Sequence, residues 1–120
     1  MNKGPWRSKK YLAWVRTLPC CITKMEGVQA AHINLPGSSG MGQKPPDYLV
    51  LPVNYLEHRK WHDKGHPSHD ALIALIKRVL QKAMAHGIIG GRLEMEFDTV
   101  YDLVREWDRA FRTGEAYYEV

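Results

Sequence analysis

His58 and His62 stand four residues apart in the stretch NYLEHRKWHDKG. On a helix, that spacing projects both imidazoles from one face, within reach of a shared ion. The pair is half a metal site. Two histidines so spaced also arise by chance in a chain that holds six, where they mark a wet polar helix surface. The setting favours chemistry, because His32 ends a run suited to a strand and Asp47 closes a glycine-rich loop, both upstream of the pair. An imidazole is largely unprotonated near neutral pH, which makes His32 a ready proton acceptor.

These side chains need elements to hold them. Val28 to Ile33 suits a strand, and NLPGSSGMGQKPPD concentrates Gly, Pro and Ser as a loop does. Tyr48 to Pro52 reads as a second strand that leads straight into a polar helix closed by Gly65. Upstream, Tyr11, Trp14, Val15 and Leu18 recur at helical spacing from Ser8 until Pro19 stops the pattern. Downstream, Ser68 after Pro67 is a good N-cap for a helix with Leu72, Ile73, Leu75, Ile76, Val79, Leu80 and Ala83 on a broad apolar face ending near Gly87. Lys77, Arg78 and Lys82 form a basic stripe opposite that face. GIIGG reads as a turn-rich connector, and RLEMEF alternates like a strand. Asp98 or Thr99 then caps a helix with Val100, Leu103, Val104, Trp107 and Phe111 on one face. The class expected is α+β.

Length and composition bound what this assembly can be. At 120 residues, 44% apolar and 25% charged, the chain is expected to fold as one soluble domain over residues 1–120. No apolar run approaches the roughly 20 residues that cross a bilayer, and MNKGPWRSKK lacks the apolar stretch of a signal peptide. A cytoplasmic, monomeric protein with no membrane partner is the expectation. Cys20 and Cys21 are adjacent and are the only cysteines, so neither a disulfide framework nor a four-cysteine zinc site is available. The net charge of +4 hides an asymmetry. The first 25 residues carry Lys3, Arg7, Lys9, Lys10, Arg16 and Lys24 with no acid, whereas the last 27 carry eight acids against Arg105, Arg109 and Arg112. A uniformly basic coat is excluded. The basic front end suits phosphate contacts through Lys9, Lys10 and Arg16, with plain solvation as the bland alternative.

The run AHI…G…GMGxKxxD…PxxxxxHxxxH falls on Ala31 to Ile33, Gly37, Gly40 to Gly42, Lys44, Asp47, Pro52, His58 and His62. It resembles the His-Asn-His endonucleases, and within them the recombination nucleases of phages and prophages, over roughly residues 10–65. The resemblance implies a ββα-metal unit, a hairpin followed by a helix, at about residues 20–65, with further helices packed at both ends and a helical extension at about 68–113. It implies a divalent-metal-dependent DNA endonuclease in a bacterial host. His32 matches the general base, Asp47 the residue that holds the loop and orients the base, and His58 and His62 the ligands of one divalent ion, Mg²⁺, Mn²⁺ or Zn²⁺. The residue types suit hydrolysis of a phosphodiester, which needs an activated water, a cation on the phosphate oxygens and a positive surface for the strand. Lys44 and the loop glycines would bring charge and N–H groups to phosphates. DNA is the implied partner, with a recombinase or other recombination protein as a further candidate.

The departures are informative. Many relatives carry a zinc knuckle of two cysteine pairs, but here only Cys20 remains, with Thr23, Asn54 and Glu57 at the other three positions. Trp6, Trp14, Trp61 and Trp107 are therefore expected to stabilise the unit by burial. Ala31 stands where many relatives have a metal ligand just before the base. Ala31 and the broken knuckle favour a second reading, a DNA-binding recombination accessory protein that cuts poorly or not at all. The retained His32, Asp47, His58 and His62 oppose it. A third reading is an interaction protein acting through its acidic C-terminal helix. His66 and His69 are left out of the site because Gly65 and Pro67 break the helix, and Met41, Met84 and His86 read as packing or surface residues.

Overall fold

The computed structural model describes residues 6–35 and 44–118. In chain order these form α1 (Lys9–Val15), β1 (Val28–His32), β2 (Val50–Asn54), α2 (Tyr55–Lys64), α3 (His69–Ala85), β3 (Ile89–Gly91), α4 (Val100–Thr113) and β4 (Ala116–Tyr118). The architecture is α+β, with two small antiparallel sheets, β1–β2 and β3–β4. Among the described residues no helix is long and apolar enough to cross a membrane.

The register of the first sheet follows from its one proline. Val28 pairs with Asn54 and His32 with Val50, and Ile33 N–H donates to the Leu49 carbonyl at 2.8 Å to extend the ladder. Residues of an antiparallel strand alternate between facing and turning away from the partner's hydrogen bonds. With Leu49 facing β1, Leu51 and Val53 face it too, and Pro52 turns away. Its missing N–H therefore costs the ladder nothing. The Pro52 carbonyl instead accepts from Cys21 N–H at 2.9 Å, which ties the turn after α1 to the outer edge of β2.

The second strand starts two residues later than the pattern predicts. Asp47 to Leu49 form a turn closed by Leu49 N–H donating to the Pro46 carbonyl at 3.0 Å. Tyr48 and Leu49 are apolar because they enter the core, where both are fully buried, rather than because they join a ladder. Asn54 ends β2 and also caps α2, its side chain accepting from Leu56 N–H at 3.0 Å. Strand and helix thus join without a loop, which fixes how α2 leaves the sheet.

Ser8, Ser68 and Thr99 cap α1, α3 and α4 by accepting from Tyr11, Ala71 and Asp102 N–H. Helix α3 buries Leu72, Ile73, Ile76, Val79, Leu80 and Ala83, and α4 buries Leu103, Val104, Trp107, Ala110 and Phe111. An aromatic cluster links α4 to the front of the chain. Phe111 stacks on Trp6 at 4.3 Å and on Tyr48 at 4.8 Å between ring centres, and Trp107 meets Tyr48 edge-on at 6.2 Å.

Two expectations for the C-terminal part are corrected. Within GIIGG, Ile89 to Gly91 is strand β3, paired to β4, and not merely a connector. A Cβ on Gly91 would lie 1.9 Å from the Glu115 carbonyl oxygen, and its φ of +85° suits glycine alone. The pairing needs a glycine there, and the same residue type had signalled a turn. Conversely, residues 92–97 form no strand. Their alternation is real, with Leu93 buried and Glu94 and Glu96 exposed, but it reflects packing on α4. Trp107 Nε1 donates to the Glu94 carbonyl at 2.6 Å, the bond that a ladder partner would otherwise make.

Candidate active site

Asp47 is the one buried charged side chain among the described residues, at 4% exposure. The elements around it explain how a carboxylate is kept there. Asp47 N–H donates to the Trp6 carbonyl at 2.9 Å, and the Trp6 ring lies 6.1 Å from that of Tyr48, the residue after Asp47. Its Oδ2 accepts from Ser8 N–H at 2.8 Å, and its Oδ1 accepts from Arg7 Nη1 at 3.2 Å. Arg7 also donates to the Pro45 and Lys44 carbonyls, at 2.5 and 3.0 Å, and so pins the segment leading into Asp47.

The third donor is His32, whose Nε2 lies 2.8 Å from Asp47 Oδ1. Since a carboxylate only accepts, Nε2 carries a proton, and the neutral tautomer compatible with this contact has its lone pair on Nδ1. His32 sits at the last position of β1, where the strand brings its ring to the wall of a cleft of about 200 Å³. Ala31, His58, Trp61, His62 and His66 line the same cleft. An imidazole oriented by Asp47 therefore borders a space lined by three other histidines.

His58 and His62 both project from α2, their rings 4.9 Å apart between centres. His58 Nδ1 lies 2.7 Å from Gln29 Oε1. An amide oxygen only accepts, so the proton sits on Nδ1 and Nε2 is free to bind an electrophile, the arrangement by which second partners orient metal-binding histidines. Burial, and then the neighbouring His62, hold the His58 pKa below its ordinary 6.5, which keeps the ring neutral. Trp61, between the two histidines in sequence, is buried and donates through Nε1 to Glu57 at 2.8 Å, which anchors this face of α2.

The residues present fit a two-imidazole donor set. Among the described residues no group of three or more His, Cys, Asp or Glu side chains is arranged to hold a metal ion. Ala31 lines the cleft beside both histidines and brings no ligand to it. Asp47 does not supply one either, since both of its oxygens are engaged by Arg7, Ser8 and His32.

Sequence spacing thus brings His32, Asp47, His58 and His62 to one region, while the other candidates fall elsewhere. Lys9, Lys10 and Arg16 lie exposed on or beside α1, and neither they nor Lys44 line the cleft. Gly37, Met41 and Gly40 to Gly42, with the phosphate-cradling role given to the loop, lie outside the described residues. His66, left out on sequence grounds, does reach the cleft wall, with Nδ1 2.6 Å from the Pro67 carbonyl. Sequence reasoning missed Arg7, the Ser8 N–H and Gln29. Gln29 had a signal, since it sits two residues before Ala31 and so on the same face of β1. Arg7 had none, because its partner is 40 residues away.

A family profile described as "Protein of unknown function (DUF968)" matches residues 2–87. The chain belongs to the DUF968 family. No curated protein and no solved structure matches it. The DUF968 match spans α1 to α3 and therefore contains every residue of the candidate site, whereas β3, α4 and β4 lie beyond it.

Proposed function

We propose that this DUF968 chain is a divalent-metal-dependent DNA endonuclease that acts in the cytoplasm of a bacterial host, in recombination or DNA processing of phage or prophage origin. The observation that carries the proposal is the His32–Asp47 pair opening onto the cleft that His58 and His62 also line. In this reading His32 Nδ1 takes a proton from the attacking water, and Asp47 holds the ring and stabilises the imidazolium that results. Protonation of Nδ1 leaves Nε2–H still donating to Asp47, so no second proton needs to move. His58 and His62 are the residues that would hold the ion, with Gln29 fixing the His58 ring. When bound, a divalent ion supplies positive charge to the nonbridging and leaving oxygens of the phosphate. Two imidazoles suit Zn²⁺ or Mn²⁺ better than Mg²⁺, which prefers oxygen ligands.

Ala31 on the cleft wall favours a second reading, a DNA-binding accessory protein that shares the scaffold and cuts weakly or not at all. One experiment separates the two. Metal-stripped protein is resupplied with Mg²⁺, Mn²⁺ or Zn²⁺ and tested on single-stranded, duplex and branched DNA beside His58→Ala and His62→Ala. The nuclease reading expects cleavage that depends on metal and is lost in both variants. DNA binding without cleavage under any metal would leave the accessory reading.

A further inference from the structure

The basic stripe on α3 divides into two parts. Lys77 turns toward Glu96, 3.6 Å away, and is largely covered. Arg78 and Lys82 instead border a groove of about 100 Å³ between α3 and the turn after α1, where Lys24 meets them from the other side. Cys21, Pro52 and Val79 are among the apolar residues that floor it. Among the described residues no acidic side chain lines this groove and none of these three cations forms an ion pair. On the same turn, Ile22 and Met25 stand 41% and 56% exposed. None of its residues belongs to the cleft of the candidate active site.

We infer that this groove binds an acidic peptide segment of a partner protein, with an apolar side chain inserted on the Cys21–Pro52–Val79 floor and carboxylates paired to Lys24, Arg78 and Lys82. Two features select that occupant. Three cations drawn from two elements more than 50 residues apart (Lys24 and Arg78), with no acid among them, call for an anion. A concave apolar floor flanked by exposed Ile22 and Met25 calls for apolar side chains, which a phosphodiester backbone does not offer. The Cys21 N–H to Pro52 carbonyl bond ties the α1 side of the groove to β2.

The test is fluorescence anisotropy on the full chain, using a short fluorescein-labelled peptide with aspartates ahead of a leucine and a phenylalanine. Controls replace the aspartates by asparagines or the two apolar residues by alanines. The variant is Arg78→Ala/Lys82→Ala, both at exposed positions, with its fold checked by thermal melting. The inference expects saturable binding that weakens about tenfold or more in the variant and with either control peptide, and that falls with added salt. No anisotropy change up to millimolar protein, or binding indifferent to the variant, overturns it. Loss of oligothymidine binding in the variant with peptide binding unchanged would make the groove a nucleic-acid contact. Concentration-dependent self-association of the free chain, abolished by the same variant, would make it a contact between copies. Either result overturns the peptide assignment.

Discussion

Replacing Asp47 by asparagine should both destabilise the fold and move the proton on His32. The carboxylate, 6% exposed as a side chain, accepts from Ser8 N–H and His32 Nε2 at 2.8 Å each. Hydrogen bonds to a buried charge contribute about 1.5–3 kcal/mol apiece. Arg7 is 42% exposed and lies at 3.2 Å, so water replaces most of its share and its loss costs below about 1 kcal/mol. Asparagine keeps one acceptor oxygen. With that oxygen on Ser8 N–H, its amide nitrogen faces His32, and the ring can satisfy it only by accepting at Nε2. The proton then moves to Nδ1, the atom assigned to the water. The expected loss is about 2 kcal/mol in Asp47→Asn, and about 3 kcal/mol in Asp47→Ala, where both strong bonds go. Urea denaturation reads the first quantity as a lower midpoint at unchanged slope. Nitrogen-15 NMR of the histidine rings reads the second as a switch of tautomer. A variant within 0.5 kcal/mol of wild type, or an unchanged His32 tautomer, would refute this account of the pair.

Three further outcomes are expected. Gly91→Ala should cost about 2–3 kcal/mol by thermal or chemical denaturation, from the φ of +85° together with loss of the Arg92 N–H to Glu115 bond, whereas Gly87→Ala, with open space around its Cβ, should cost less. The Tyr48 hydroxyl is buried with no partner among the described residues, so Tyr48→Phe should be neutral or stabilising by up to about 1 kcal/mol, and a loss above that would show a bond not accounted for. Because the folded His58 pKa lies below 6.5, the unfolded chain binds more protons between the two values, and metal-free stability should fall as pH drops through that window. His58→Gln should shallow that fall, which melting at pH 7.5 and pH 5.5 would measure.

The elements of the site were legible because each had a local cause. The four-residue spacing of His58 and His62, the cap at Ser68 and the apolar face of α3 are all short-range, and the structure has them as read. The turn at Asp47 was not. Tyr48 and Leu49 look like strand residues, and only their burial, that of Tyr48 against Phe111 and Trp107, shows why they are apolar. The same holds for Gly91, where one residue type serves a turn or a close strand approach, and the choice depends on Glu115, 24 positions away. What positions Asp47 is likewise long-range, through Arg7, the Ser8 N–H and an aromatic cluster completed by α4. A pattern carried on one strand or helix can announce a histidine pair, but not the groups that orient it from elsewhere in the chain.

The central claim is that His32 abstracts the proton, and the most direct measurement is single-turnover cleavage of a labelled DNA by wild type and His32→Ala at saturating Mn²⁺, with DNA binding recorded on the same samples. The account predicts unchanged binding and a rate lower by about 100-fold or more. Cleavage by His32→Ala at the wild-type rate would contradict it.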